Sequence, residues 1–553
     1  MRTSTLIAWN TIAIWTGSIV SGLASLVIVR LLVESLDTSE FGLTGVLVGT
    51  IGLSLMLDLG LRQAVTRHLA KFIALAEPAR VNQVLSSGLA CYTAIGAVFA
   101  LGFIVLAPWI AEVFRLVPRQ EAIMLLRTYG SISAILSFIY PTYEAVIVGA
   151  RRFDVNSAIK SAEVIVRGVA VLVLVVGCDL GLYGWAAARI SGQLARTLAN
   201  VYAAHRLWPA LSARPALVRR DALGDLFRLG GWLSVYQLVA NLNQRVDPLV
   251  IARVLGEGAG QIATAAYVPA SALAYAVRPF VNAVSAQIFT LATGYHETDN
   301  RAHLCALLLR GTRVTLLLGI PNCVIFGCLA DRIIHFWLGA KFAGASATAA
   351  ALVIMSITDV FRYSGKMTHW NVMLGMDRAR PIVVLELVVA AINTVAAVLM
   401  VRWMWQNGWG TMSITGTLLP AAVTAAISRA LIIVYVARQT EIGVGHYLRV
   451  SYVAPYVLLL AMTATALLTR RAVEPETLPR LAVCIAVPLI VWAAGCWWWA
   501  FDDQDRAQLT RMFGRLLGKL GRHRQSPPPD GTNDGGAHAD GAHADSPDAD
   551  PAD

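Results

Sequence analysis

Charged residues are scarce in this chain of 553 residues. Asp, Glu, Lys and Arg together make up 14% of it, whereas 57% of the residues are hydrophobic. A soluble globular domain usually has about 25% charged and about 45–50% apolar residues. The composition therefore excludes an ordinary soluble protein and predicts an integral membrane protein.

Several chemical motifs are also missing. The seven cysteines are odd in number and form no CxxC pair, so neither a disulfide framework nor a metal site is predicted. There is no GxxxxGK[ST] phosphate loop, because "GRLLGKL" at 514–520 has the wrong spacing; we expect neither ATP hydrolysis nor a cofactor. The net charge is +11, but no basic stripe with aromatic residues between the bases accompanies it. The charge therefore favours anionic lipid headgroups over nucleic acid as the binding partner.

Hydrophobic runs of about 20 residues dominate the rest of the chain. Each is long enough to cross roughly 30 Å of hydrocarbon as an α-helix. The first run is too long for the apolar part of a signal peptide, so we expect it to remain in the mature protein. We predict about fourteen spans, at 9–31, 41–60, 84–108, 123–149, 157–178, 181–204, 227–252, 263–290, 312–337, 346–374, 381–401, 413–437, 447–468 and 479–500.

The basic residues of the short connections alternate along the chain. The even-numbered connections carry most of the Lys and Arg, whereas the charged residues of the first connection, "LVESLDTSE", are all acidic. By the positive-inside rule, the even connections and both termini are predicted to be cytoplasmic.

A short sequence occurs twice at the end of a predicted span. "LVIVRLL" at 26–32 closes the first span and "LVIARVL" at 249–255 closes the seventh. The seventh span comes six spans after the first, so the two copies have the same orientation, which predicts two six-helix lobes in a pseudo-twofold arrangement with a substrate site between them. A chance match remains the alternative.

The predicted organisation then follows the chain. The N-terminal lobe covers 1–204, a cytoplasmic linker 205–226, the C-terminal lobe 227–437 and an additional helix pair 438–501. Residues 502–525 are predicted to form a basic amphipathic cytoplasmic helix. The acidic segment 526–553, with its repeated GAHAD, is predicted to be disordered.

Ionisable side chains at bilayer depth are the candidate site residues. Each costs about 2.5–3.5 kcal/mol on insertion scales, so such groups are expected to face an aqueous cavity or one another. Six bases are candidate substrate-binding cations: Arg189, Arg245, Arg278, Arg362, Lys366 and Arg429. Asp247, Asp359 and His369 are candidate ion-coupling residues.

The densest group lies in "TDVFRYSGKMTHW", residues 358–370. Helical spacing would place Asp359, Arg362, Lys366 and His369 on a single helix face. That stripe either lines a cavity or contains an internal ion pair between Asp359 and Arg362. Glu144, Glu163 and Arg167 are interpreted as structural pairing, with Glu163 and Arg167 four residues apart on one helix.

Three longer segments carry a family resemblance. "VESLDTSEFGLTGVLVGTIGLSLMLDLGLRQAVTRHLAK", "VIVGARRFDVNSAIKSAEVIVRGVAV" and "LGGWLSVYQLVANLNQRVDPLVIARVLGEGAG" resemble polysaccharide repeat-unit flippases, which move lipid-linked oligosaccharides. These flippases belong to the superfamily of multidrug, oligosaccharidyl-lipid and polysaccharide exporters, together with the lipid II flippase. The resemblance covers residues 1 to about 500.

The resemblance implies a function and a location. It implies a multi-pass flippase of the bacterial cytoplasmic membrane that moves undecaprenyl-diphosphate-linked repeat units for exopolysaccharide, O-antigen or capsule export. Alternating access through a cationic cavity would suit a diphosphate, since arginine stays charged and binds phosphate oxygens bidentately. A polysaccharide polymerase and export machinery would be its partners.

Other functions remain open at this point. Glu34, Asp37 and Glu40 in the first exterior connection can mimic the acidic site of a membrane glycosyltransferase, polymerase or ligase. A multidrug extrusion antiporter or a lipid II flippase would share the fold. A scaffold without transport fits worst, because it needs no charge at bilayer depth.

Overall fold

The computed structural model describes residues 3–54, 61–219, 246–339, 342–501 and Arg506. Regular structure in these ranges is helical throughout, with no strand. The predicted amphipathic helix at 502–525 and the tail at 526–553 lie outside the described residues, apart from Arg506.

Among the described residues, eight α-helices precede residue 208. They are α1 Thr3–Ser35, α2 Thr38–Ser54, α3 Leu61–Ala74, α4 Pro78–Val113, α5 Arg119–Leu125, α6 Ser131–Gly149, α7 Phe153–Val171 and α8 Gly181–Leu207. Two π-helical segments interrupt this series. Leu126–Gly130 joins α5 to α6, and Leu172–Gly177 follows α7.

Eleven further α-helices follow in the described part of the chain. They are α9 246–255, α10 Ala259–Ala276, α11 Arg278–Glu297, α12 Arg301–Leu338, α13 Ala345–Tyr363, α14 Lys366–Gly375, α15 Arg380–Gln406, α16 Thr415–Gln439, α17 Val444–Ser451, α18 Val453–Val473 and α19 Leu478–Gly495. A 3-10 turn, Gly410–Ile414, leads into α16, and the π-helical segment Cys496–Ala500 follows α19.

The all-α, multi-pass membrane architecture predicted from the sequence is confirmed. Within the described ranges, nine helical segments are long and apolar enough to cross a membrane. The predicted number of about fourteen spans stays a prediction. The sixth predicted span, for example, corresponds to α8, a 27-residue helix whose interior carries Arg189 and Arg196 and which is not among the nine.

Three predicted spans are each divided into two helices. The span at 447–468 breaks at Tyr452, between α17 and α18. The span at 263–290 breaks at Val277, between α10 and α11. The span at 346–374 breaks at Ser364 and Gly365, where Gly365 has a φ of 96°. Glycine adopts this left-handed conformation without a steric penalty, which ends α13 before α14 begins.

The helices pack into two sets. In the first, α1 to α8 bury apolar side chains such as Leu43, Leu85 and Phe138. In the second, α9, α10, α12, α13 and their neighbours bury Ile251, Tyr267 and Leu352. The two sets meet chiefly where α2 packs on α10, and α1 adds contacts with α10, α11 and α12.

The helix pair α18–α19 lies against α12. Arg470 on α18 forms an ion pair with Asp331 on α12, with 2.8 Å between Nη2 and Oδ2. Trp492 on α19 donates its indole N–H to the carbonyl oxygen of Leu317 at 3.2 Å. Side chains therefore attach this pair to the second helix set.

Part of the predicted cytoplasmic linker is held on α4. The Asn82 side chain donates to the carbonyl of Ala210 and accepts from the amide of Ser212, both at 2.9 Å. The amide of Arg214 donates to Ser86 Oγ at 3.1 Å. Residues 208–214 therefore lie along the first turns of α4 and are hydrogen-bonded to it.

The contact between α2 and α10 depends on glycine. A Cβ at Gly42 would overlap the main-chain carbonyl of Gln261, and one at Gly45 would come within 2.6 Å of Val268 Cγ2. We expect Gly42→Leu to reduce the free energy of unfolding by about 1–3 kcal/mol, the usual cost of overpacking, and so to lower the melting temperature of the purified protein. Gly102→Leu on α4 is the matched control, because no heavy atom lies within 4 Å of its added Cβ. Equal melting temperatures for the two variants would contradict the prediction.

Candidate functional site

A cavity of about 300 Å³ lies between the two helix sets. Residues of α1, α2, α7 and α8 line one side, and Pro248 on α9 with Tyr267 and Tyr275 on α10 line the other. Its wall is mostly apolar, but Arg167 and Arg189 both reach it. The described lining contains neither Asp nor Glu.

Two adjacent helices carry the two arginines. Arg167 lies on α7 and Arg189 on α8, and these helices approach closely at Gly192, where an added Cβ would lie 3.1 Å from Arg167 Cβ. Arg189 Nε donates to the hydroxyl of Tyr129 at 2.8 Å. Its guanidinium also lies 5.6 Å from the centroid of the Trp185 ring.

Neither arginine forms an ion pair with a described carboxylate. Arg167 Nε is buried and has no hydrogen-bond partner among the described residues. Burial of an unpaired charge is costly, so this wall of the cavity favours a bound anion.

The expected ion pair between Glu163 and Arg167 is not formed. Glu163 instead binds Arg196 on α8, with 2.9 Å between Oε2 and Nη1. Glu144 binds Lys160 at 3.0 Å and Arg196 at 3.3 Å. Glu144 and Glu163 are thus paired with Lys160 and Arg196, and Arg167 is left to the cavity.

A second group of charges lies in the other helix set. We call it the charge cluster; it comprises Arg278, Asp359, Arg362, Lys366, His369, Glu386 and Arg429. Asp359, only 1% exposed, binds Arg278 at 3.1 Å and Arg362 at 3.0 Å through the same oxygen, Oδ1. This is the internal pairing of Asp359 and Arg362 considered as one of two possibilities from the sequence.

Glu386 on α15 is the acid of the other half of the charge cluster and pairs with both of its bases. Its Oε2 atom lies 2.7 Å from Lys366 Nζ, and its Oε1 atom lies 3.6 Å from Arg429 Nη2. Sequence reasoning missed Glu386, although a single Glu within the apolar run "VVLELVVAA" was a usable signal. With Glu386 included, four bases face two acids in the cluster, so its formal charge stays positive.

His369 connects the charge cluster to α17. Arg429 Nη1 donates to its Nδ1 atom at 3.4 Å, which leaves Nε2 to donate to the Tyr447 hydroxyl at 2.5 Å. Tyr447 in turn contacts Thr312 Oγ1 on α12 at 2.8 Å. His369 and Tyr447 are fully buried, so this chain of polar groups passes through the packed interior.

The prediction of one stripe on one helix face is wrong. The break at Gly365 places Asp359 and Arg362 on α13 but Lys366 and His369 on α14, where they bind different partners. The Tyr452 hydroxyl donates to the Ser364 carbonyl at 2.9 Å and so satisfies part of the exposed backbone at the break. The Ser-Gly pair in the sequence was a signal for this interruption.

The remaining candidates lie as follows. Asp247 is 8% exposed and accepts a hydrogen bond from the hydroxyl of Tyr267, a cavity residue, at 2.8 Å. The guanidinium of Arg278 lies 3.8 Å from the ring centroid of Tyr275, which also lines the cavity. Tyr275 therefore separates the cavity from the charge cluster. Arg245 lies outside the described residues.

Removal of the Glu386 carboxylate from the charge cluster is expected to destabilise the protein. Glu386→Gln would remove the counter-charge of the largely buried Lys366 and one carboxylate contact of Arg429, at a cost of about 3–5 kcal/mol. Glu441→Gln is the control, because its ion pair with Arg301 is about 70% exposed and such pairs contribute less than about 1 kcal/mol. Thermal melting should show a much larger fall for Glu386→Gln, and similar falls for both variants would contradict this energetic role.

Comparison with known proteins places the chain in a family. A family model described as polysaccharide biosynthesis protein matches residues 27–347, more than half of the chain. The uncharacterized membrane protein EpsK of Bacillus subtilis strain 168 is 22% identical over 413 residues, which cover 74% of this chain and 79% of EpsK.

Solved transporters share its fold. An inward-facing multidrug resistance MATE family transporter of the MOP superfamily has a TM-score of 0.60 at 14% identity, covering 78% of this chain and 98% of its own. An outward-facing one has a TM-score of 0.58 at 13% identity, covering 79% and 95%. A MOP superfamily transporter from Pyrococcus furiosus, described as having a binding pocket of reverse polarity, has a TM-score of 0.56 at 14% identity, covering 80% and 98%.

These similarities confirm the resemblance seen in the sequence at the level of family and fold. The match to the family model comes from the first helix set and the beginning of the second, and the structural match extends over both sets. The chain therefore belongs to the polysaccharide biosynthesis protein family and has the multi-pass fold of MOP superfamily transporters.

Proposed function

We propose that this protein moves undecaprenyl-diphosphate-linked oligosaccharide repeat units across the bacterial cytoplasmic membrane. The family supports a role in polysaccharide biosynthesis, and the fold supports transport. The observation that carries the substrate assignment is the cavity with Arg167 and Arg189 in its wall and no carboxylate in its described lining.

The charge and size of the cavity suit a diphosphate headgroup. Guanidinium groups bind phosphate oxygens bidentately and remain ionised where water is scarce. A cavity of about 300 Å³ is at the lower end of small-molecule sites, enough for a diphosphate with a small part of the sugar. The polyprenyl tail would stay in lipid, and the remaining sugars would extend into hydrated space as the cavity opens.

Alternating access is the mechanism we propose. The cavity lies where the first and second helix sets meet, so rocking of one set against the other would open it to either side. Arg167 and Arg189 would make the first contact with the diphosphate. Arg278, which packs on the cavity residue Tyr275, would be the next cation to approach the diphosphate. Arg362, Lys366 and Arg429 would maintain the positive potential on that side of the cavity.

The competing functions lack comparable support. A site for organic cations needs surplus carboxylate, which the described cavity lining does not provide. Two of the three acids considered for an enzyme are engaged at helix ends, where Glu34 pairs with Arg30 at 2.9 Å and Glu40 accepts a hydrogen bond from the backbone amide of Asp37 at 3.3 Å. We therefore retain the flippase assignment, with both termini cytoplasmic and with a polymerase and export machinery acting after it.

The transport role is tested in cells that lack the protein. We expect undecaprenyl-diphosphate oligosaccharide to accumulate on the cytoplasmic face of the membrane and to be cleared by the wild-type chain. Arg167→Gln and Arg189→Gln should each slow clearance by about tenfold, since each removes a charge-assisted contact to phosphate. Arg402→Gln, an exposed position on α15, should behave as wild type.

Two results would contradict the transport role. Accumulation on the outer face would show that translocation proceeds without the protein and would favour the polymerase or ligase function. Full clearance by the Arg167→Gln, Arg189→Gln double variant would remove the cationic cavity from the mechanism.

Energy coupling is proposed to involve Asp247, Asp359 and His369. Asp247 is linked to the cavity through Tyr267, and Asp359 through Arg278 and Tyr275. In proteoliposomes, neutralising Asp247 and Asp359 to Asn together should abolish the dependence of transport on a proton or sodium gradient. Asp331→Asn, at the half-exposed ion pair with Arg470, is the control. Transport that keeps its gradient dependence in the double variant would exclude both carboxylates as coupling groups.

A further inference from the structure

Arg189 is held by two aromatic neighbours that form a compact group with it. Its Nε atom donates to the Tyr129 hydroxyl at 2.8 Å, and its guanidinium lies over Trp185, one turn earlier on α8. Tyr129 and Trp185 also contact each other edge to face, with 5.1 Å between ring centroids. Both rings are almost fully buried, at 1% and 2% exposure.

The contact with Tyr129 uses only one of the five N–H donors of the guanidinium. An arginine has a single donor at Nε and four at the two Nη atoms. The four Nη donors of Arg189 have no hydrogen-bond or ion-pair partner among the described residues. Tyr129 therefore fixes the guanidinium at Nε, and the four Nη donors, which suit a phosphate, remain available to the cavity.

Tyr129 lies in an unusual stretch of backbone. Residues Leu126–Gly130 form a π-helical segment between α5 and α6, and such segments are rare and frequently occur at functional sites. Gly130 allows α4 to approach, because an added Cβ there would lie 3.1 Å from the ring of Phe103. Close packing on this side thus supports the position of the tyrosine ring.

A second hydrogen bond sets the register between the same two helices. Gln193, one turn after Arg189 on α8, donates to Ser133 Oγ at 2.8 Å, and Ser133 lies one turn after Tyr129. The pairs Tyr129–Arg189 and Ser133–Gln193 form successive rungs between the π-helical segment with α6 and α8. The Tyr129 hydroxyl is therefore placed by tertiary packing and not by a flexible side chain alone.

We infer that Tyr129 is a positioning residue of the anion site, whose hydroxyl orients the Arg189 guanidinium toward a phosphate in the cavity. The inference rests on the proposed function, because it takes the ligand to be a polyprenyl diphosphate. Tyr129 acts through Arg189 and does not itself contact the ligand. Preorganisation of this kind raises affinity, since less side-chain freedom is lost when the ligand binds.

The test is a double-mutant cycle with undecaprenyl diphosphate as the probe. Its dissociation constant is measured for the purified full-length chain in detergent by thermophoresis. Tyr129→Phe, which keeps the ring and removes the hydroxyl, should raise the dissociation constant by about tenfold. In the Arg189→Gln background the same change should have an effect of less than about twofold, because the group it positions is gone.

Two further variants sharpen the result. Arg189→Lys keeps the positive charge but loses the Nε–H together with the four Nη donors, so it should weaken binding at least as much as Tyr129→Phe and should be insensitive to that change. It removes the same contact from α8 if Tyr129→Phe is poorly folded. Tyr183→Phe on α8 is the matched control, because Tyr183 is exposed and its hydroxyl contacts, among the described residues, only Met124 Sδ, at 3.7 Å.

The outcomes separate this inference from the proposed function. If Arg189→Gln binds the probe as tightly as wild type, the diphosphate site of the proposed function is wrong. If Arg189→Gln weakens binding while Tyr129→Phe and Arg189→Lys do not, the diphosphate site stands and the positioning role is wrong. If the effects of Tyr129→Phe and Arg189→Gln multiply, Tyr129 is a structural residue only and the inference is overturned.

Discussion

The structure depends on one constraint: a charge buried at bilayer depth needs an opposite charge close to it. The described residues meet this requirement in the second helix set, where Asp359 and Glu386 each serve two basic side chains. They also meet it in the first set, where Glu144 and Glu163 share Arg196. The cavity is different, because Arg167 and Arg189 lie in its wall without a described carboxylate.

That difference separates charges that are paired within the fold from the two arginines that we propose bind the ligand. A buried ion pair contributes little net stability, but loss of one partner is strongly destabilising. The acids of the charge cluster therefore hold helices together at fixed positions. An arginine without such a partner is stabilised by a bound anion, and this is the physical basis of the proposed diphosphate site in the cavity.

The interrupted helices follow the same electrostatic logic. A break at membrane depth leaves backbone groups without helical partners, and protein side chains must replace them. Tyr452 does so at Ser364, and Arg278 lies directly after the break at Val277 with Asp359 opposite it. The charge cluster thus joins two helix breaks, α10–α11 and α13–α14, across neighbouring elements. Because Tyr275 lies between this cluster and the cavity, a change on one side has a direct physical route to the other.

The sequence by itself determined the membrane class, the helical architecture and most of the helices, because long apolar runs are a local property that survives any tertiary arrangement. It also predicted basic side chains at bilayer depth, among them Arg189, since their cost in lipid does not depend on which neighbour they meet. Only the tertiary structure decided the partners. It paired Glu163 with Arg196 and thereby left Arg167 to the cavity, it brought Glu386 from a separate helix to Lys366, and it placed Tyr129 beside Arg189. Residues 20 to 60 positions apart meet through helix packing and backbone breaks, and helical periodicity contains no information about such contacts.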